Sequence, residues 1–577
     1  MKKKLLPALI VTGLIILVVI IMGITALINK YTPTKKTEDL KEYFNISSDD
    51  EAALIVDNEL SDYKAKIIDK KIYVDYKFVH DSLNSRFYWD ANENVLLYTT
   101  ASDIISAAAD SNSYSVTKQT NDFGYPIVKA TSDSALIALD YVKQYSNITF
   151  KSYDDPARIV ITSKWDEIDS ATVSKSTQVR VKGGIKSPIL KEVKKDDKIT
   201  ILDSGDKWDK VATEDGVIGY IKSKALSESK KTKLTNPDYE EETFTHIKKD
   251  KDICLAWNQV TSQSANSKVP QVISSTKGIN VMSPTWFYLN DNNGNLADIA
   301  SKDYVSYCHS QGIEVWGLFS NFENTDVDAA YVLTHTSTRT TLINQIMSAA
   351  FNYELDGVNI DFENITEAAY GDSYIEFIRE LAIKCHNNGI SLSVDVTVPA
   401  SFNKFFNRSD MANFADYIVI MGYDEHYKGS DAGSVSSIPW VTEGVESTLK
   451  EVPADQIILG MPFYTRIWEL TPKEDDDAVT DTEDQSKYTV ASQVYSMDAA
   501  AAQLATNNAT AALDEESGQN YAEWSVSNKL YKVWLEDNTS LENRLKLVDD
   551  NKLAGAAFWK LGFENSSVWD TVIKYLN

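Results

Sequence analysis

The stretch Leu355-Asp356-Gly357-Val358-Asn359-Ile360-Asp361-Phe362-Glu363 decides how the C-terminal half of this 577-residue chain folds. It reads as one buried β-strand ending in acidic and amide side chains. Strand side chains alternate, so Val358, Ile360 and Phe362 point one way and Asn359, Asp361 and Glu363 the other. Strands of α/β proteins are covered on both faces, so the polar face must look into something functional or be fully paired. Two carboxylates that close cannot both ionise cheaply, and one is expected to hold a proton near neutral pH. A proton donor beside an anion is the equipment that acetal cleavage requires.

Working outward, strands alternate with helices from about residue 246 to the end. Candidate strands are Asp252 to Trp257, Gly278 to Met282, Glu314 to Leu318, Gly357 to Phe362, Ser391 to Val396, Tyr417 to Met421, Gln456 to Gly460 and Gly555 to Trp559. An amphipathic helix carrying Tyr374, Phe377, Ile378, Leu381 and Ile383 runs up to Asn387-Asn388-Gly389. Eight such units over about 330 residues predict a (β/α)8 TIM barrel, whose strand C-terminal ends build the site. Those ends carry Trp286, just beyond strand two, then Asp361 and Glu363, Tyr423 and Asp424, Tyr464 and Arg466, and Trp559.

The run Asp356-Gly357-Val358-Asn359-Ile360-Asp361-Phe362-Glu363 resembles the Asp-Gly-x-Asp-x-Asp-x-Glu signature of family 18 glycoside hydrolases, with Asn359 at the middle Asp. Met421-Gly422-Tyr423-Asp424, Gly460-Met461-Pro462-Phe463-Tyr464-Thr465-Arg466 and Ala557-Phe558-Trp559-Lys560-Leu561-Gly562 resemble that family's strand-six, strand-seven and strand-eight segments. The resemblance implies hydrolysis with retention, in which the substrate's own 2-acetamido group attacks the anomeric carbon. By it, Glu363 is the general acid and base, Asp361 holds the acetamido N–H, and Tyr423 with Asp424 binds the acetamido group. Trp559 forms the sugar floor, and Asn359, Asp356, Tyr464, Arg466 and Trp286 line the substrate. Asn359 can hydrogen-bond Asp361 but cannot share a proton with it. Asn-bearing motifs of this kind resemble the branch that cuts bacterial cell walls and spore cortex. Chitin cleavage and glycan binding without turnover stay open as alternatives. No cofactor is implied, and no metal, because no histidine or third carboxylate has ligand spacing near the motif.

The N-terminal half reads as separate modules. Leu5 to Ile28 is 24 residues without a charge, behind Lys2-Lys3-Lys4. That run is long enough to span a bilayer, and residues 1–30 are read as an uncleaved signal-anchor that places the bulk of the chain outside the cell. A cleaved signal peptide is the alternative. Residues 31–45 read as a linker. Residues 46–165 show a near-repeat of strand, helix and hairpin, from Lys71 to Tyr98 and from Pro126 to Ile161, with the second helix expected from about Ala135 to Tyr145. This α+β duplicated surface module resembles the N-terminal module of copper amine oxidases, without implying copper. Residues 169–227 are short alternating strands, including Val179-Arg180-Val181, Trp208-Asp209-Lys210-Val211 and Gly219-Tyr220-Ile221. They predict a small antiparallel barrel similar to a bacterial SH3-like domain, which implies a cell-wall peptide as partner. Residues 228–245 read as a second linker.

A formal net charge of −27 argues against nucleic acid or an anionic lipid surface as a partner. The partner implied is an N-acetylated polysaccharide, of peptidoglycan or chitin type. Cys254, Cys308 and Cys385 have no metal spacing and read as buried free thiols. Trp524, between strands seven and eight, is a candidate groove residue, and Lys473 to Asp477 a solvated loop.

Overall fold

The computed structural model describes residues 5–365, 368–473 and 484–576, and the chain divides into two compact units. Lys2 to Lys4 and Glu474 to Asp477 lie outside the described residues.

One unit comprises residues 1–89, 107–114 and 121–241. It opens with the helix Leu5–Tyr31, of which Pro7–Tyr31 is long and apolar enough to cross a membrane and is not buried against protein. Lys71–Asp75 and Ala135–Ala138 are antiparallel neighbour strands, each followed by a seven-residue helix. Ala135 to Ala138 is therefore strand, where the pattern predicts helix, because its apolar run pairs on both sides in the sheet. Seven strands between Glu167 and Lys233 form one sheet, antiparallel throughout.

Two expected linkers are partly structured. Lys230–Lys233 pairs with Glu167–Ser170 as an edge strand; all four side chains are exposed, which is why no apolar period marks it. Phe44, placed in the first linker, is fully buried in a cluster with Ala53, Ile55, Val179, Val211 and Ile221. That cluster joins the two N-terminal modules into one core.

The other unit comprises residues 90–106, 115–120 and 242–577. Its body is a closed parallel barrel: β1 (Ile253–Asn258), β2 (Val281–Leu289), β3 (Glu314–Ser320), β4 (Gly357–Asp361), β5 (Ser391–Thr397), β6 (Tyr417–Met421), β7 (Ile457–Pro462) and β8 (Gly555–Trp559). Each strand pairs in parallel with the next, and β8 pairs with β1 to close the ring. All eight predicted strands are present. The largest difference is β2, which runs on to Leu289 and so contains Trp286.

Alternation sorts the side chains of β4 as predicted. Val358, Ile360 and Phe362 are buried in the large cluster between barrel and helices, each contributing about 1.5–3 kcal/mol on the usual area scale. The inward positions of the ring form a second cluster that includes Leu255, Trp257, Trp316, Leu318 and Val419. Gly357 opens β4 because a Cβ there would lie 2.5 Å from the Trp316 ring.

Between β7 and β8 the chain inserts a five-stranded antiparallel sheet. Its strand order is Tyr488–Ser496, Tyr464–Pro472, Lys529–Leu535, Gln519–Val526 and Ala512–Asp514, with the helix Met497–Thr506 packed on it. The three cysteines are buried free thiols.

Candidate active site

A cavity of about 870 Å³ opens at the C-terminal ends of the barrel strands. Its inner wall carries Asp361 and Glu363 from β4 and its following residues, Asp395 from β5, and Tyr423 and Asp424 from the segment after β6. Trp257 and Trp559, the last aromatics of β1 and β8, form the floor with ring centroids 6.0 Å apart. Tyr423 stands edge-on to Trp257 at 6.5 Å.

Acid dominates the electrostatics. Asp361 is buried and pushed well above the ordinary carboxylate range, first by desolvation and then by the negative charges of Asp395, Glu363 and Glu323. Its Oδ1 is buried without a hydrogen-bond partner among the described residues, so it is a polar atom waiting for a donor. Asp395 is also driven well above its usual range, by desolvation first, although a hydrogen bond from Asn359 opposes this. Glu363 is exposed to the cavity but walled by protein; desolvation, then Asp424 and Glu323, raise it as well. All three carboxyls are raised, so each keeps its proton to a higher pH than an isolated carboxyl would.

Asp424 is fixed from the inserted sheet. Tyr464 donates its hydroxyl to Asp424 Oδ1 at 2.6 Å, and Arg466 Nη2 lies 3.4 Å from the same oxygen. The Asp424 backbone is left-handed, φ 62°, a conformation that Asp tolerates better than most residues. Tyr464 and Arg466 thus act one step behind the cavity, through Asp424.

Three further expected substrate contacts are corrected. Asn359 is fully buried beneath the site. Its Oδ1 accepts from Trp257 Nε1 and Ser283 Oγ, both at 2.9 Å, and its Nδ2 donates to Asp395 Oδ1 at 2.7 Å and Ser393 Oγ at 3.1 Å. It holds Asp395, not Asp361, because its register partner on the neighbouring strand β5 is Ser393 and Asp395 is the next inward residue along that strand. Asp356 sits just before the N-terminal end of β4, on the opposite side of the barrel. There it accepts from the Val315 N–H at 2.8 Å and bonds His309 Nε2 at 2.8 Å. Trp286 is fully buried in the barrel–helix core, its Nε1 donating to Asn266 Oδ1 at 2.8 Å. The extension of β2 turns it outward.

Several cavity residues escaped the sequence reading. Asp395 was legible from the alternation Ser391, Ser393, Asp395 on β5, which repeats the inward polar face of β4. Glu323, its carboxylate accepting from Ser320 Oγ at 2.7 Å, and the rim aromatics Phe402 and Tyr427, 78% and 56% exposed, come from loops and a short 3-10 turn with no periodic signal.

An eight-stranded barrel with raised carboxyls over an aromatic floor at its C-terminal mouth has the makings of a glycoside hydrolase, and the comparisons agree. The family described as Glycosyl hydrolases family 18 matches residues 317–564, and the chain is a glycoside hydrolase whose barrel is similar to that family. An uncharacterized glycosylase of Bacillus subtilis, YvbX, is 24% identical over 302 residues, 49% of this chain and 81% of its own length. A cortical fragment-lytic enzyme of the same organism is 24% identical over 287 residues, 48% of this chain and 63% of its own length. The crystal structure of the Bacillus cereus spore cortex-lytic enzyme SleL, 18% identical, covers 60% of this chain and 77% of that chain with a TM-score of 0.50. That likeness concerns the fold.

Proposed function

We propose that the chain cleaves β-1,4 bonds after N-acetylglucosamine in peptidoglycan, by substrate-assisted hydrolysis with retention. The observation that carries this reading is the pairing of Asp361, with its unpartnered buried oxygen, and Glu363 in the same cavity.

Glu363, held protonated, gives its proton to the glycosidic oxygen as the bond to the anomeric carbon breaks. The acetamido oxygen of the sugar on the non-leaving side attacks that carbon from the opposite face. Its N–H becomes more acidic as the ring closes, and Asp361 Oδ1 is the acceptor for it. Tyr423, a hydroxyl kept protonated by burial and nearby acids, donates to the acetamido group. Glu363, now anionic, takes a proton from water as water opens the oxazolinium ring, which restores the starting state. Trp257 and Trp559 supply the apolar surface for a sugar face.

The name of the cortical fragment-lytic relative favours a cell-wall glycan as substrate. Chitin oligomers are the second reading, favoured by 23% identity to a probable di-N-acetylchitobiase of Dictyostelium discoideum. The Leu5–Tyr31 helix serves as a membrane anchor with the barrel outside the cell, and the all-β sheet as an SH3-like wall-binding module. Tethering of this kind raises the effective substrate concentration.

The test treats purified peptidoglycan and chitin oligomers with the full chain and with its Glu363→Gln variant, and reads new reducing ends by mass spectrometry. Reducing N-acetylglucosamine ends from peptidoglycan, absent with the variant, are expected. Products from chitin alone would transfer the reading to a chitinase, and products from neither would remove it.

A further inference from the structure

The inserted sheet has a second cavity, of about 430 Å³, on the face turned away from the active site. The strand Tyr464–Pro472 separates the two faces. Tyr464 and Arg466 reach Asp424, whereas Ile467 and Glu469, at the alternate positions, line the second cavity.

A row of side chains crosses this face in register. Glu469 lies opposite Tyr531, and Tyr531 opposite Trp524. Three strands span about 10 Å, the scale of a disaccharide. Trp524 and Tyr531 stack in parallel, 5.5 Å between centroids and 8° between planes, and Trp524 remains half-buried in the cavity wall. Glu469 is held by the Tyr531 hydroxyl at 2.8 Å and Lys529 Nζ at 2.6 Å, so it is a fixed acceptor with most of its charge balanced. Above the row, Gln493, Gln503 and Asn507 contribute amides.

This combination selects a ligand class. An aromatic face wants a flat patch of C–H groups, and the surrounding amides and carboxylate want hydroxyl or amide edges. Among the described residues that line the wall, none carries a positive charge for a phosphate. A pyranose presents both kinds of surface at once. We propose that the groove is a second glycan-binding site, which grips an N-acetylated polysaccharide strand without cleaving it. The choice of an N-acetylated glycan rests on the proposed function. Two grips on one polymer strengthen each other only when the polymer is long enough to reach both faces of the sheet. The groove therefore matters on insoluble substrate and not on short soluble oligomers.

The experiment uses the full chain with Glu363→Gln to stop turnover, and compares it with the same chain carrying Trp524→Ala or Gln493→Ala. Retention is measured on purified peptidoglycan sacculi and on insoluble chitin. Trp524→Ala is expected to lower retention at least fivefold, and Gln493→Ala, at an exposed position that does not disturb packing, by about twofold. In the otherwise wild-type chain, Trp524→Ala should leave turnover of short soluble N-acetylglucosamine oligomers within twofold. Unchanged retention with both variants would overturn the proposal, as would an equal loss of soluble turnover with Trp524→Ala. Variant-sensitive retention in a chain whose wild type releases no products would keep the groove and remove the proposed activity.

Discussion

Asn359 on β4 donates from Nδ2 to Asp395 on β5 across 2.7 Å, while its Oδ1 accepts from Trp257 and Ser283. Every hydrogen-bonding atom of the amide is engaged, and its direction is set: only an N–H can face Asp395. Asn359→Asp keeps the two donors satisfied but turns a donor into a second acceptor against a buried carboxylate. The expected outcome is a loss of about 1–3 kcal/mol, the range for a buried polar group left unpaired. The loss should be greater at pH 8 than at pH 5, because only a shared proton can replace the missing N–H. Chemical denaturation at the two pH values checks it.

Asp395 itself is raised by burial above its unfolded value of about 3.9. The folded state therefore holds a proton that the unfolded state has lost, and stability contributed by this group falls as pH rises from about 4 through its folded pKa. Asp395→Asn removes that dependence and still accepts from Asn359. Its melting temperature relative to the parent should rise steadily between pH 4 and pH 7; a constant difference would show that Asp395 is not perturbed in this way.

For Glu363 the expected effect is on rate. General acid–base groups contribute roughly 10²–10⁴-fold, so Glu363→Gln should lower kcat by that amount with the circular dichroism spectrum unchanged. A wild-type rate in this variant would end the proposed mechanism.

Asp424 raises Glu363 through its charge. Glu363 must be protonated to begin, so the alkaline limb of kcat/KM tracks its pKa in the free enzyme. Removing the negative charge in Asp424→Asn lowers that pKa and moves the limb to lower pH. The Asn oxygen can still accept from Tyr464, so the geometry is kept. A limb that stays in place would mean that Asp424 acts only on substrate.

The barrel was legible because each strand is a short apolar run between helical periods, and β6 and β8 came out with the same ends in pattern and structure. The reactive pair was legible because period-two alternation on β4 fixes which side faces inward. What the pattern could not reveal is which end of a strand, or which neighbour, a polar residue meets. Asp356 shares a run with Asp361, yet five residues of strand rise put it at the other end of the barrel. Asn359 was assigned to Asp361 along the chain, whereas sheet pairing brought it to Asp395. The edge strand Lys230–Lys233 left no mark because an exposed edge needs only backbone bonds. The groove at Trp524 depends on registers across three strands that no local window contains.

Trp286 and Trp559 separate packing from recognition. Trp286→Phe removes the 2.8 Å hydrogen bond to Asn266 inside the core. It leaves a buried acceptor unpaired at about 1–3 kcal/mol. It touches no cavity wall, so the melting temperature should fall while KM on oligomers stays put. Trp559→Ala strips half of the aromatic floor from the cavity. An aromatic contact of about 0.5–1.5 kcal/mol corresponds to a rise in KM of roughly two- to tenfold. Thermal melts and Michaelis curves on the two variants should give opposite patterns. A raised KM in Trp286→Phe with stability intact would return that residue to the substrate.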